Sequence, residues 1–121
     1  MANLHQTFYR QLQQELDVAR TLHRLLCEER DLLDPPNVEA LTDLQQEKLH
    51  HLNALKKLSN QRCHWLTEQK IPLDKHCYLS PLLQSDMPSE NQQLADLWQE
   101  LAGQFEQNRD LTEILATIVL T

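Results

Sequence analysis

Glycine occurs once in this 121-residue chain, at Gly103, and aromatic residues make up 5% of it. A chain so poor in turn-forming and sheet-forming residues excludes a fold built from β-hairpins. It has no apolar run long enough to cross a bilayer, which excludes a transmembrane helix. A glycine-rich phosphate loop and a Gly-x-Ser-x-Gly nucleophile turn are excluded by the same shortage. Cysteine is scarce and odd in number. Cys27, Cys63 and Cys77 have no framework-like spacing, and the N-terminal MANLHQTFYRQ lacks the apolar segment of a secretory signal. Both observations lead to an expectation of reduced thiols and a cytoplasmic protein. Basic residues nearly vanish late in the chain. Residues 1–76 hold 11 acids and 10 bases, whereas residues 77–121 hold 7 acids and 1 base. The last third therefore repels phosphate backbones and anionic membrane surfaces, and no nucleic-acid or membrane partner is expected.

Leu, Gln and Glu dominate what is present, and they favour helices. The stretch from Val38 to Leu66 reads as the element around which the rest is organised. Val38, Leu41, Leu44, Leu49, Leu52, Leu55, Leu58 and Leu66 fall in helical step on one stripe, with Gln, Glu, Lys and Asn opposite. No Gly or Pro interrupts it. Such a helix buries its apolar stripe only against other helices.

An earlier helix is expected over residues 3–33, with a stripe of Leu4, Phe8, Leu12, Leu16, Ala19, Leu22 or His23, Leu26 and Leu33. Asn3 is a fitting N-cap. Pro35-Pro36 stops this helix, and Asn37, or Asp34 with Pro35 in the first turn, caps the next one over 37–66. So short a link makes the two helices an antiparallel hairpin. Residues 67–88 carry Pro72, Pro81 and Pro88 with no sustained period. They read as an irregular connection running back along the hairpin, with one short helix near Leu79–Gln84. A third helix is expected over 89–120, opened by a Ser89/Gln92 capping box with Glu90 at the positive end of the helix dipole. Leu94, Leu97, Trp98, Leu101, Phe105, Leu111, Leu115 and Ile118 form its stripe, which Asn108 interrupts. Gly103 either permits close helix approach or is exposed. The expected fold is thus a single all-α domain: a long antiparallel hairpin plus a third long C-terminal helix, a coiled-coil-like three-helix bundle.

Few residues suggest chemistry. Cys63-His64 and His76-Cys77 invite a zinc reading, but adjacent helical residues point about 100° apart and known zinc pairs are spaced further. Two ordinary thiols and two exposed imidazoles are expected instead, with no metal and no cofactor. His50-His51 has no oriented partner or cleft in view, and a place at the seam edge is expected. No catalytic residue is assigned, and the chain is not read as an enzyme. Trp65 and Trp98 read as core anchors, and Glu47-Lys48 and Lys56-Lys57 as a solvated face. The ending ILATIVLT is the unusual feature. Ile114, Leu115, Ala116, Ile118, Val119 and Leu120 cover nearly the whole circumference of a helix, so these turns either close the bundle or await a partner.

An N-terminal helix, then EALTDLQQEKLHHLNALKKLSNQR (Glu39–Arg62), a linker, and LADLWQELAGQFEQNRDLTEI (Leu94–Ile114) resembles the FlgN-like proteins. The Glu47-Lys48 pair between leucine pairs and the Leu97-Trp98-x-x-Leu101 step look most like that family. The resemblance implies a cytoplasmic chaperone of flagellar type III export. Such a chaperone holds the hook-filament junction (hook-associated) proteins FlgK and FlgL before secretion. It also implies partner contacts toward the C-terminal helix, here Leu111, Ile114, Leu115, Ile118 and Val119. The leucine rhythms alone fit a second reading, a structural scaffold that self-associates as a homodimer without a secretion client.

Overall fold

The computed structural model describes residues 3–120, the side chains of 116–120 excepted. Three long helices carry it: α1 (Leu4–Leu32), α2 (Val38–Glu68) and α3 (Pro88–Leu120). Two single 3₁₀ turns, Cys77–Leu79 and Pro81–Leu83, lie between α2 and α3. The protein is an all-α helical bundle, with no strand among the described residues.

The helix starts follow local chemistry. The Asn3 side chain accepts a hydrogen bond from the Gln6 amide, and the Asn37 side chain accepts one from Ala40. Each satisfies a first-turn donor that the helix itself leaves unpaired. α3 begins at Pro88 rather than at a Ser89 cap. Proline suits the first helical position because its missing amide hydrogen would have no acceptor there. Just ahead of it, Ser85 Oγ accepts from the Met87 amide and donates to Glu90, and Asn91 exchanges two bonds with the Ser85 backbone. α2 ends without a glycine. Ile71 N–H bonds to the Leu66 carbonyl and Lys70 N–H to that of Thr67, a Schellman-type ending. It places Lys70 in the left-handed region at φ 62°, where glycine would be the unstrained choice.

The organising element is α1, not α2. Both α2 and α3 pack along α1, while they touch one another little. On α1, Phe8, Leu12, Leu16, Ala19, Leu22, Leu25 and Leu26 are buried. On α2 only Leu44 and Leu66 are, and Val38, Leu49 and Leu52 are exposed. The reason is positional. α1 lies between two helices and buries a wide face, whereas α2 has a neighbour on one side only.

The connection does not run back along the hairpin. α2 ends beside the start of α1, and α3 begins at that same end, so α3 runs parallel to α1. His5 on α1 lies near Glu90 on α3, Arg20 pairs with Glu100 at 3.0 Å, and His23 meets Asn108. Residues 69–87 instead fold over this end as a plug. Ile71, Cys77 and Leu83 are buried with Phe8, Leu12, Leu66, Leu94 and Leu97 in the main core. His5 Nδ1–H donates to the Leu83 carbonyl at 2.8 Å, and Trp98 Nε1–H to that of Lys75 at 3.0 Å. The first of these satisfies a carbonyl that an irregular segment would otherwise leave buried and unpaired, and the second ties the connection to α3.

Candidate functional site

The residues singled out from the sequence are Leu111, Ile114, Leu115, Ile118 and Val119, near the far end of α3. A second, smaller apolar cluster sits there. Leu111 and Leu115 are buried against Leu22 and Leu26 of α1, with Cys27, Leu33 and Leu55 packed around them. Ile114 points elsewhere and is 52% exposed. The side chains of Ile118 and Val119 lie outside the described residues. Two of the five residues therefore face the bundle's own interior, and one faces solvent.

What separates the two clusters is polar. Asn108 is buried on the α3 stripe, between Leu101 and Leu111. Its amide donates to the Ala19 carbonyl at 3.0 Å, and its oxygen accepts from Gln104 at 3.0 Å and from His23 Nδ1–H at 3.1 Å. These roles leave His23 Nε2 as an acceptor for the Cys27 thiol, 3.6 Å away. The seam is therefore interrupted but satisfied, and a fixed polar pairing sets the α1–α3 register.

The α1–α2 interface is fixed by charge. Glu15 is fully buried, and its carboxylate accepts from Arg62 Nε at 2.5 Å, from Arg62 Nη2 at 3.2 Å and from Ser59 Oγ at 2.6 Å. Fourteen residues on, Glu29 accepts from Lys48 at 2.6 Å and from Gln45 at 2.5 Å. A buried carboxylate costs heavily unless it is paired, and both of these are paired from α2 alone. The Arg62 guanidinium also lies over the Trp98 ring, 5.5 Å from its centre, so one arginine joins all three helices. The rings of Trp65 and Trp98 both stack near Phe8, and Tyr78 stacks near Trp98.

Because α2 and α3 touch little, an open groove runs between them over α1. Arg62, Trp98, Leu101, Ala102 and Phe105 line a cleft of about 230 Å³ there. An adjoining cleft of about 290 Å³ shares Arg62 and Trp98 and extends to Cys63, Leu73 and Cys77. The larger cleft of about 450 Å³ lies between α1 and α3 on another side. Gln13, Asp17, Arg20, Asp96 and Glu100 line it, and such a surface stays hydrated.

The Cys and His pairs separate on folding. Cys63 and Cys77 share the second groove cleft, while His64 and His76 are exposed and His64 pairs with Glu68 at 2.8 Å. No group of three or more His, Cys, Asp or Glu side chains that could hold a metal occurs among the described residues. Burial pushes the Cys77 thiol above its ordinary pKa, and the nearby Arg62 charge offsets part of that rise. Cys77 is thus a neutral core residue at physiological pH. His51 Nδ1 lies 2.9 Å from the Glu47 carbonyl of its own helix, and His50 is exposed.

The sequence model of the FlgN family, "FlgN protein", matches residues 1–120. The chain belongs to the FlgN family. FlgN membership supports a general role as a flagellar export chaperone, and this is not an enzyme family. The helical bundle, with no described helix long and apolar enough to cross a membrane, fits FlgN proteins. Comparison with curated proteins and with solved structures gives no match.

Proposed function

We propose that this FlgN-family protein is a cytoplasmic chaperone that holds helical segments of the hook-filament junction proteins, FlgK-like and FlgL-like, and keeps them competent for secretion. The match to the FlgN family over residues 1–120 carries the reading. The acidic last third and the apolar residues near the end of α3 support it. Ile114 is the accessible contact. Leu111, Leu115, Ile118 and Val119 complete the partner surface, and Leu111 and Leu115 join it only when the end of α3 moves off Leu22 and Leu26. Burying a leucine-sized side chain gives about 1.5–3 kcal/mol in gross terms before ordering costs. A handful of such contacts suits a reversible hold on a client that must later be released.

Titration calorimetry with a purified FlgK-like or FlgL-like junction protein tests this. Wild type is expected to bind at one-to-one stoichiometry, and Ile114→Asp to bind at least tenfold more weakly with unchanged helicity. No binding by wild type contradicts the client assignment. Equal binding by Ile114→Asp removes that residue from the site. The scaffold reading, a homodimer without a client, predicts a concentration-dependent dimer in light scattering instead.

A further inference from the structure

Three side chains from two helices meet at the polar node of the α1–α3 seam. His23 and Cys27 stand one turn apart on α1, and Asn108 faces His23 from α3. Asn108 is 6% exposed. Its orientation is fixed, because its amide donates to the Ala19 carbonyl at 3.0 Å. Its oxygen therefore turns to His23 and accepts from Nδ1–H at 3.1 Å. That bond leaves the Nε2 lone pair to meet the Cys27 thiol, 3.6 Å away. A nucleophile, a base that meets it and an amide that orients the base thus stand in series. An apolar residue at position 108 would continue the stripe between the two core clusters. The chain keeps a buried polar group there instead, a local cost of the kind that functional sites carry.

We infer that Cys27 is a reactive thiol that exchanges with small disulfides, with His23 as its general base and Asn108 as the residue that positions His23. Thiol–disulfide exchange fits the site because it passes through no oxyanion and needs no oxyanion hole. The Cys27 S–H proton moves to His23 Nε2, and the sulfur attacks one sulfur of the disulfide. The S–S bond of the small molecule breaks and a new one forms to Cys27. The departing thiolate takes the proton from Nε2. The small disulfide is the oxidant: Cys27 is oxidised as the departing half is reduced. His23 and Cys27 are both half-buried, so the sulfur is within reach of a small molecule and shielded from a large one. The other two thiols are set differently. Cys77 is buried in the main core. Cys63 lies in the groove cleft beside Arg62, whose charge Glu15 already meets. The inference is independent of the client reading above.

The rate of mixed-disulfide formation in the full-length protein tests this. The probe is glutathione disulfide, and peptide mass mapping assigns the modified cysteine. Near neutral pH, Cys27 is expected to react at least tenfold faster than Cys63 or Cys77. His23→Gln and Asn108→Leu are each expected to slow Cys27 at least tenfold near neutral pH, with unchanged helicity. Both are expected to match the wild type above about pH 10, where an ordinary thiol ionises unaided. A merely structural role would change the rate alike at both pH values, and that result overturns the proposal. Equal rates at Cys27 and Cys63 in the wild type overturn it too, as does a His23→Gln protein that reacts at the wild-type rate near neutrality. If the variants fail to fold, the wild-type pH profile decides. Between about pH 7 and pH 8 an ordinary imidazole is already neutral and an ordinary thiol still holds its proton. The Cys27 rate is expected to be nearly flat there, while the Cys63 rate rises about tenfold with the thiolate fraction. A tenfold rise at Cys27 as well overturns the proposal.

Discussion

The two ends of this bundle are held by different amounts of the same interaction. At the end where α1 begins, ten buried residues from three helices and the connection form one cluster, with four aromatic rings stacked beside or within it. Among the described residues, four buried leucines from α1 and α3 meet at the far end, with Leu55 of α2 packed against them. Buried apolar area sets the difference, since hydrophobic stabilisation grows with the surface removed from water. Local opening is therefore expected to begin at the far end, where the described residues form the smaller buried cluster. A chaperone that must present and withdraw an apolar surface gains from such an arrangement. On the proposed function, the connected end keeps the molecule folded while the far end engages the client.

The sharpest way to break this contrast is to hollow out the strong end. Phe8→Ala removes a fully buried ring at the centre of the main cluster. It is expected to cost about 3–5 kcal/mol and to lower the midpoint of a urea titration for the whole protein. The next largest effect concerns charge. Glu15→Ala leaves Arg62 without its buried partner and is expected to cost about 3 kcal/mol. Replacing both, as Glu15→Leu/Arg62→Met, is expected to recover most of that loss in the same titration. Failure to recover would show that the pair stabilises rather than only sets register. Leu115→Ala, at the weak end, is expected to cost about 2–3 kcal/mol or less, because a smaller cluster collapses more easily around a cavity. Its mark is earlier loss of the α3 end while circular dichroism of the remainder stays unchanged.

Two smaller effects refine the picture. A Cβ added at Gly103 meets nothing within 4 Å, so this glycine serves no close approach. Gly103→Ala is expected to raise stability by about 1 kcal/mol in thermal melting. Cys77 binds its proton more tightly folded than unfolded, because burial raises its pKa. Its contribution to stability is fully present below the ordinary thiol pKa of about 8.5 and is lost as pH rises above it. The urea midpoint is expected to fall above that pH in wild type and to fall less in Cys77→Ala.

Much of the fold is legible in the residues because helices announce themselves by period and caps. Asn3, Asn37 and the Pro35-Pro36 break fix three boundaries through local chemistry alone. The stripe of α1 is readable, yet its rank as the central helix is not. Leucine rhythm marks both α1 and α2, and period reports amphipathicity rather than how many neighbours a helix has. Glu15 and Glu29 lie in step with the α1 stripe, but nothing in the sequence marks them as buried, since only the fold brings Arg62 and Lys48 to them. The end of α2 hides for another reason. Its left-handed residue is Lys70, so the usual glycine signal is missing. The connection reads as a long return because its length, its prolines and its lack of period say nothing of where it packs. Its buried Ile71, Cys77 and Leu83 show instead that it closes an end.

The candidate site divides in the same way. An apolar surplus near Ile114 can be seen in composition. That Leu111 and Leu115 are turned inward depends on Leu22 and Leu26, nearly ninety residues earlier. The groove is harder still to see, because it exists only where α2 and α3 fail to meet. Leu49 and Leu52 read as core residues of a stripe until the third helix is known to sit beside α1.

Native-state hydrogen exchange across α3 tests the contrast between the two ends most directly. The amides of Leu111–Leu115 are expected to exchange through a local opening well below the free energy of global unfolding. Those of Leu97–Leu101 are expected to exchange only with global unfolding. Equal protection along the whole helix would contradict the account, because α3 would then be held as one unit with no end free to trade partners.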